Sequence, residues 1–188
     1  RDRRSCLWNS RMKRIGLIGQ PNVGKSAIFS RLTGVRTIIS NYSGTTIEFT
    51  EGYINYKGKR DKVIDVPGAY TLEPTNEAEK VAVEMLNKGC DIVVCVMDAT
   101  NLERGLNLTL RLLKRRIPTI IVLNIWDEAK HKGIKIDIEK MEEYLNVPVV
   151  STCGITGEGI KKFVDRLDEA NISQIEYEEK EKWTKIGE

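Results

Sequence analysis

The sequence predicts an α/β fold in which helices cover both faces of a six-stranded, mostly parallel sheet with one antiparallel edge strand. From residue 91 onward, short apolar runs alternate strictly with amphipathic segments, which is typical of parallel strands joined by helices. Earlier in the chain, a glycine-bearing turn at Asn55–Arg60 joins two apolar runs as a hairpin. A chain of 188 residues is long enough to bury such a core in one domain.

The individual elements follow from apolar spacing and from the residues that end each run. In the first half we predict a strand at Arg14–Gly19, a helix at Lys25–Leu32 closed by Gly34, a polar loop without periodicity at Val35–Thr46, strands at Ile47–Tyr56 and Lys62–Val66, and a helix over roughly Glu77–Asn87. In the second half we predict strands at Asp91–Met97, Thr119–Leu123 and Val147–Ser151, and helices at Leu102–Arg115, Asp127–Lys130, Ile138–Leu145 and Ile160–Ala170.

Charge and cysteine content exclude several classes of protein. The formal net charge of +3 comes from residues 1–11, and the rest of the chain is balanced, so we expect no nucleic-acid partner. No run reaches the ~18 apolar residues of a membrane-spanning helix. The 4 cysteines form no CxxC pair and the chain has 1 histidine, which argues against a zinc site.

The two ends of the chain differ from its middle. Met12 lies two residues before the first predicted strand, so we expect residues 1–11 to be an added leader and Met12 to be the native start. Residues 12–170 then form the predicted domain. Residues 171–188 are highly charged, and we expect them to begin a helical module that continues beyond this sequence.

A phosphate-binding motif lies between the first predicted strand and helix. Residues 19–26 read GQPNVGKS and fit GxxxxGK[ST], which predicts a P-loop NTPase rather than a turn that only ends a strand. Glycines let successive N–H groups face phosphate oxygens, and the helix N-terminus favours the same anion. The lysine reaches the β- and γ-phosphates, and the hydroxyl binds magnesium. The predicted phosphate-binding residues are Gly19, Gln20, Pro21, Asn22, Val23, Gly24, Lys25, Ser26 and Ala27.

A second motif, Asn124-Ile125-Trp126-Asp127, predicts which base is bound. It follows an apolar strand at the position where the base end of a nucleotide would lie. The Asp127 carboxylate accepts from N1–H and the 2-amino group of guanine, a pair that adenine lacks. Taken alone, the motif is equally consistent with an aspartate that begins a helix. Behind a phosphate loop it favours guanine.

A third set of residues is typical of a nucleotide-dependent switch. Asp65-Val66-Pro67-Gly68 is a DxxG motif in which Asp65 would hold magnesium through water and the Gly68 N–H would sense the γ-phosphate. Gly44, Thr45 and Thr46 lie in the preceding polar loop, where a threonine hydroxyl would reach magnesium only while the γ-phosphate is present. The alternative for Thr46 is an ordinary threonine at the start of a strand.

These motifs resemble the small-GTPase class, and more closely the cytosolic GTPase domain of the FeoB family of ferrous iron transport proteins. The resemblance covers about residues 12–170. It is carried by GQPNVGKS, NYSGTT (41–46), DVPGAYTL (65–72), DATNLERGLNLTLRLL (98–113), NIWDEAKHKGI (124–134) and VPVVSTCGITGEGI (147–160). The last three are longer than generic GTPase motifs and give the specific assignment.

The resemblance implies ligands and roles for individual residues. It implies GTP or GDP with Mg²⁺ held by Ser26, Thr46 and Asp65, and K⁺ held by Asn22. The residues implied in hydrolysis are Lys25, Asn22, Thr46 and Gly68. The residues implied beside the base are Asn124, Ile125, Asp127, Ser151, Thr152, Cys153 and Gly154. The alternative for Asn22 is that it only fixes the loop through local hydrogen bonds.

Three departures from the family pattern bear on activity. Ile125 replaces the usual lysine of NKxD, and Cys153-Gly154 replaces Ser-Ala, although the Gly154 N–H can still donate to guanine O6. Ala69 follows the DxxG motif where many small GTPases have a glutamine that orients water. We therefore expect slow GTP hydrolysis that is faster in potassium than in sodium.

The resemblance implies a GTPase switch at the cytosolic face of the cell membrane. Its partners would be a C-terminal helical module and a membrane iron permease of the same polypeptide, and we also allow for self-association. One alternative is a stand-alone soluble GTPase in ribosome or RNA maturation, which would need a basic module that this chain lacks. Another is an adenine-nucleotide phosphotransferase, which the NIWD motif disfavours.

Overall fold

The computed structural model describes residues 11–34 and 37–175 of the chain. The strands in these ranges are β1 (Arg14–Gly19), β2 (Ile38–Asn41), β3 (Glu48–Tyr56), β4 (Lys59–Asp65), β5 (Ile92–Asp98), β6 (Thr119–Asn124) and β7 (Val149–Ser151). The helices are α1 (Lys25–Thr33), α2 (Glu77–Asn87), α3 (Leu102–Leu113), α4 (Trp126–His131), α5 (Ile138–Leu145) and α6 (Ile160–Arg166), followed by a 3-10 turn at Leu167–Glu169.

The strands form one sheet in the order β2-β3-β4-β1-β5-β6-β7. All pairings from β4 to β7 are parallel, and β3 is antiparallel to both of its neighbours. This confirms the predicted α/β class with a mostly parallel sheet. The predicted number of strands was wrong, because the described part of the chain contains a seventh, β2, within the segment predicted as a loop. The antiparallel strand β3 is therefore next to the edge, and β2 forms the edge itself.

The reason for this error lies in the exposure of β2. Its two isoleucines, Ile38 and Ile39, are 58% and 68% exposed. A strand with no buried face leaves no alternation of apolar and polar residues in the sequence. The strand conformation of β2 depends on pairing with β3, which the segment's own sequence does not reveal.

Two apolar cores lie on opposite faces of the sheet. Phe29 of α1 and Phe163 of α6 pack on one face. Met85 of α2 and Leu112 of α3 pack on the other. The central strands are buried on both sides, which explains their continuous apolar sequences. The carboxyl ends of the parallel strands β4, β1, β5 and β6 consequently meet at one edge, and the loops after them carry the predicted motifs.

The segment after α6 returns to the domain. The Thr119 N–H donates to the Asn171 carbonyl at 2.8 Å, and the Ser173 hydroxyl donates to the Leu145 carbonyl at 2.7 Å. Residues 171–175 are not helical, whereas we expected a helical module to begin here. The rest of that module (176–188) and residues 1–10 of the predicted leader lie outside the described residues. Within 11–34 and 37–175, no helix combines the length and apolar character needed to span a membrane.

Candidate nucleotide-binding site

The phosphate loop, residues 20–24, makes the tight turn that the motif predicts. Asn22 (φ 67°) and Gly24 (φ 83°) both adopt left-handed backbone conformations. At Gly19 no side chain fits, because a Cβ there would lie 2.3 Å from the Val96 carbonyl oxygen. Gly24 precedes α1 as its N-cap and has no side chain to occupy the first amide groups of the helix. These amides therefore face the loop in the arrangement that binds phosphate.

Lys25, Ser26 and Asp65 form a polar cluster at the start of α1. The Ser26 hydroxyl donates to Asp65 Oδ2 at 2.9 Å, and Lys25 Nζ lies 3.6 Å from Asp65 Oδ1. Asp65 Oδ1 is buried and accepts no hydrogen bond from the described residues. A hydroxyl beside a carboxylate oxygen that accepts no hydrogen bond within the described ranges matches the hard oxygen ligands that Mg²⁺ prefers. The residues present therefore fit a magnesium ion.

Asn124, at the end of β6, is buried and uses both ends of its side chain. Its Nδ2 donates to the Val23 carbonyl at 2.9 Å. Its Oδ1 accepts from the Gly154 N–H at 2.9 Å and from the Thr152 hydroxyl at 3.2 Å. Asn124 thereby joins the phosphate loop to residues 152–158, which we call the base loop.

Asp127 lies in the first turn of α4, next to the base loop. A hydrogen bond from the Cys153 side chain is the main cause that lowers the pKa of Asp127, so the carboxyl group is an ionised acceptor near neutral pH. The helix is preceded by Ile125, whose φ of 61° is unusual for a β-branched residue. Strain of this kind concentrates at functional sites. Ile125 thus gives the NIWD segment its turn, although it lacks the lysine stem of related motifs.

Gly154 rests directly on α1. A Cβ at Gly154 would lie 3.0 Å from the Ala27 Cβ, so the base loop approaches the helix closely here. In this structure the Gly154 N–H donates to Asn124, within the protein. The donation of the same N–H to guanine O6 remains a prediction.

The segment that begins at the glycine of the DxxG motif, residues 68–76, is called switch II below. Gly68 packs against the ring of Pro21, and a Cβ at Gly68 would lie 3.1 Å from that ring. The Ala69 N–H donates to the Gly19 carbonyl at 3.2 Å. The start of switch II is therefore in contact with the phosphate loop. Of the preceding motif residues, Val66 is buried in the core and Pro67 is partly buried.

The threonines predicted to reach magnesium lie in different settings. The Thr45 hydroxyl donates to the Tyr42 carbonyl at 3.0 Å and accepts from the Ile47 N–H at 3.2 Å, so it stabilises a local turn. Gly44 (φ 80°) supplies the left-handed residue of that turn. Thr46 is exposed, and no side-chain hydrogen bond among the described residues joins it to the rest of the site. Its role on magnesium stays a prediction.

Three residues that fix the loops of this site were not predicted from the sequence. Glu79 is 2% exposed, and its carboxylate accepts from Tyr70, Thr71 and Thr75 of switch II. A weak signal existed, because an asparagine three residues before a glutamate is typical of a helix start. Arg31 contacts the base loop, and Arg104 contacts both the phosphate loop and switch II. Neither arginine carries a distinguishing local pattern.

Comparisons with known proteins identify one family. Residues 13–167 match the family model described as ferrous iron transport protein B. The Fe(2+) transport protein A/Fe(2+) transporter FeoB fusion protein of Porphyromonas gingivalis is 38% identical over 161 residues, which are 85% of this chain and 19% of that protein. The Fe(2+) transporter FeoB of Escherichia coli (strain K12) is 38% identical over 172 residues, which are 87% of this chain and 22% of that protein. The chain thus spans about a fifth of the length of the curated relatives it matches.

Solved structures agree with this assignment. The apo cytosolic domain of the T. maritima FeoB iron transporter superposes with a TM-score of 0.85 at 37% identity, covering 89% of this chain and 68% of that one. The GMPPNP form of the same domain superposes with a TM-score of 0.82 at 38% identity, covering 90% of this chain and 69% of that one. A mutant S. thermophilus NFeoB bound to GDP superposes with a TM-score of 0.81 at 35% identity, covering 88% of this chain and 65% of that one. Together with the family match, these similarities confirm the resemblance seen in the motifs, and the chain belongs to the ferrous iron transport protein B family.

Proposed function

We propose that this chain is a guanine-nucleotide-binding domain that hydrolyses GTP to GDP and phosphate. The observation that carries the proposal is the buried Asn124 side chain, which joins the phosphate loop at Val23 to the base loop at Gly154. The ionised Asp127 beside this unit offers acceptors suited to guanine. Structures of relatives in GMPPNP and GDP forms support the same class of ligand.

Ser26, Asp65 and Thr46 hold magnesium in this proposal, with Asp65 acting through water. The bound ion supplies positive charge that neutralises phosphate oxygens. Lys25, which pairs with Asp65 in the structure, binds the β- and γ-phosphate oxygens. The Gly68 N–H senses the γ-phosphate at the start of switch II. The hydrogen bond between Ser26 and Asp65 supports this arrangement, and so does the second Asp65 oxygen, which accepts no hydrogen bond from the described residues.

Hydrolysis is slow in this proposal because Ala69 has only a methyl group where many small GTPases orient water with a glutamine. Asn22 is exposed and lies in the phosphate loop, where its side-chain oxygen is available to a potassium ion. Potassium there supplies part of the positive charge that the transition state requires.

Nucleotide titration and hydrolysis assays test these points. We expect GDP to bind at least about a hundredfold more tightly than ADP, and ADP binding as tight as GDP would contradict the guanine assignment. We expect hydrolysis to be faster in potassium chloride than in sodium chloride. Asn22→Gly is the sharper test of the potassium ligand than Asn22→Ala, because glycine keeps the left-handed conformation and removes only the side chain. Undiminished potassium stimulation in Asn22→Gly would leave Asn22 as a loop residue only.

We also propose that the domain, residues 12–170, is the switch of a ferrous iron transporter at the cytosolic face of the membrane. Its partners are a C-terminal helical module and a permease in the same polypeptide, and copies of the domain self-associate. The support is that the curated relatives are named Fe(2+) transporters and that this chain matches only about a fifth of their length. The test is the reading frame of the gene beyond Glu188: several apolar stretches of ~20 residues support a permease, and a basic soluble domain contradicts it.

A further inference from the structure

Arg31 links α1 to the base loop through two consecutive peptide groups. Its Nε donates to the Gly154 carbonyl at 3.1 Å, and its Nη2 donates to the Ile155 carbonyl. Ala27 lies one turn earlier on the same face of α1 and contacts Gly154 at close range. One face of the phosphate-binding helix therefore supports the base loop by packing and by hydrogen bonds.

The base loop closes on itself around this contact. The Cys153 N–H donates to the Glu158 carbonyl at 2.9 Å, and the Gly157 N–H donates to the Cys153 carbonyl at 2.8 Å. Gly157 has φ 88°, and a Cβ there would lie 3.4 Å from Arg31 Nη1. The guanidinium group thus lies next to the turn that these two hydrogen bonds close.

Gly154 is held from both sides. Its N–H donates to Asn124 Oδ1, and its carbonyl accepts from Arg31. Glycine is the residue with the greatest backbone freedom, so an unsupported Gly154 would not keep one orientation. The close approach of Ala27 excludes a larger residue at this position without local movement. Gly154 has no side chain to restrict its backbone, and the hydrogen bond from Arg31 fixes the orientation of its carbonyl instead.

We propose that Arg31 is a positioning residue for the base loop and that it slows the release of guanine nucleotide. The inference rests on the proposed nucleotide-binding function. Because α1 starts at Lys25 and Ser26, Arg31 couples the helix that binds phosphates to the loop beside the base. When the guanidinium releases the two carbonyls, the base contacts of the loop weaken while the phosphate contacts remain.

An ordinary role for Arg31 makes a different prediction. A cation in the last turn of a helix interacts favourably with the helix dipole, and any cation serves this purpose. Lysine keeps that charge but has one nitrogen atom, and it does not reproduce the planar pair of donors that reaches two carbonyls. Arg31→Lys therefore separates loop positioning from a helix-charge effect.

The test is the dissociation rate of a fluorescent N-methylanthraniloyl GDP from the 188-residue chain. We expect Arg31→Ala and Arg31→Lys to release it about three- to tenfold faster than the wild type, with little change in association rate. Lys130→Ala is the matched control, because it removes the exposed Lys130–Glu158 pair of the same loop and is expected to change nothing. A wild-type rate in either arginine variant would overturn the proposal.

Hydrogen exchange in the nucleotide-free protein gives an independent readout. The amides of Cys153 and Gly157, which donate within the loop, are expected to exchange faster in Arg31→Lys at an unchanged unfolding temperature. Unchanged exchange would overturn the positioning role. A wild-type protein that binds no GDP would instead overturn the proposed function, while the exchange experiment still decides the role of Arg31. If Arg31→Ala does not fold, Arg31→Lys carries both measurements.

Discussion

The side-chain amide of Asn124 donates to the carbonyl oxygen of Val23 at 2.9 Å, so a buried residue at the end of β6 holds the phosphate loop. Gly24 makes this approach possible, because a Cβ there would lie 2.3 Å from Asn124 Nδ2. The Asn124 oxygen meanwhile accepts from Thr152 and Gly154. The phosphate loop, β6 and the base loop are therefore one hydrogen-bonded unit.

Replacing Asn124 with alanine should damage both stability and binding. The change leaves the Val23 carbonyl, the Thr152 hydroxyl and the Gly154 N–H without their partner. Each buried polar group left unsatisfied costs about 1–3 kcal/mol, so for three groups we expect the free energy of unfolding to fall by about 3 kcal/mol or more. Urea unfolding measures this loss, with exposed Asn107→Ala as the control. A loss below about 1 kcal/mol would show that water replaces the asparagine.

The buried carboxylate of Glu79 holds switch II by accepting hydrogen bonds from its backbone. Burial, the largest single influence, raises the pKa of Glu79, but hydrogen bonds from Thr75, Tyr70 and Thr71 together lower it further than burial raises it. The pKa of Glu79 in the folded protein therefore lies below its ordinary value of 4.5. Stability from this carboxylate is present above the ordinary pKa and is lost as the pH falls through the folded pKa.

Replacing Glu79 with glutamine should therefore destabilise the protein most at neutral pH. The amide nitrogen of glutamine faces donors where the carboxylate accepts, so we expect a loss of about 2 kcal/mol at pH 7. As the pH falls below about 4.5, the wild type loses its advantage and the two unfolding free energies converge. Urea midpoints measured between pH 3 and pH 7 check this prediction. Parallel curves for the two proteins would show that Glu79 does not titrate with folding.

The parts of the site that the sequence predicted are those in which one short segment determines the geometry. The turn at Gly24 and the start of α1 at Lys25 follow from local backbone chemistry, so the motif was sufficient. Arg31 contacts a segment far along the chain, and Glu79 contacts the loop that precedes its helix. In the sequence, both look like ordinary charged residues on the solvent-exposed face of a helix. Strand β2 was missed for a related reason, since only its partner defines it.

Replacing Asp127 with asparagine should change which base is bound. The amide group loses one acceptor for guanine but donates to the 2-oxo group of xanthine. We expect affinity for GDP to fall about a hundredfold and xanthosine diphosphate to bind instead. Because the pKa of Asp127 lies below its ordinary range, this carboxylate should add no pH dependence of its own to GDP binding between pH 8 and pH 5. Glu128→Gln, which alters the adjacent exposed residue, is the control, and an unchanged base preference in Asp127→Asn would remove Asp127 as the base contact.

The start of α3 contacts both the phosphate loop and switch II. The Gln20 side chain donates to the Arg104 carbonyl, and Arg104 Nη2 donates to the Tyr70 hydroxyl at 3.3 Å. The guanidinium carbon also lies 5.3 Å from the centre of the Tyr70 ring. Residues from the phosphate loop and α3 line a common cavity of about 80 Å³. Arg104 thus joins two segments that both respond to the γ-phosphate in the proposed function.

Replacing Arg104 with alanine should slow GTP hydrolysis without weakening GDP binding. The contact with Tyr70 is exposed to solvent, so its loss should lower the maximal rate only about two- to fivefold. Arg115→Ala is the matched control, because Arg115 lies just beyond α3 and donates to Asn87, away from switch II. Tyr70→Ala combined with Arg104→Ala should be no slower than either single variant, since both remove the same contact. Multiplicative effects on the rate, or equal effects in the Arg115 control, would show that Arg104 acts on hydrolysis by another route.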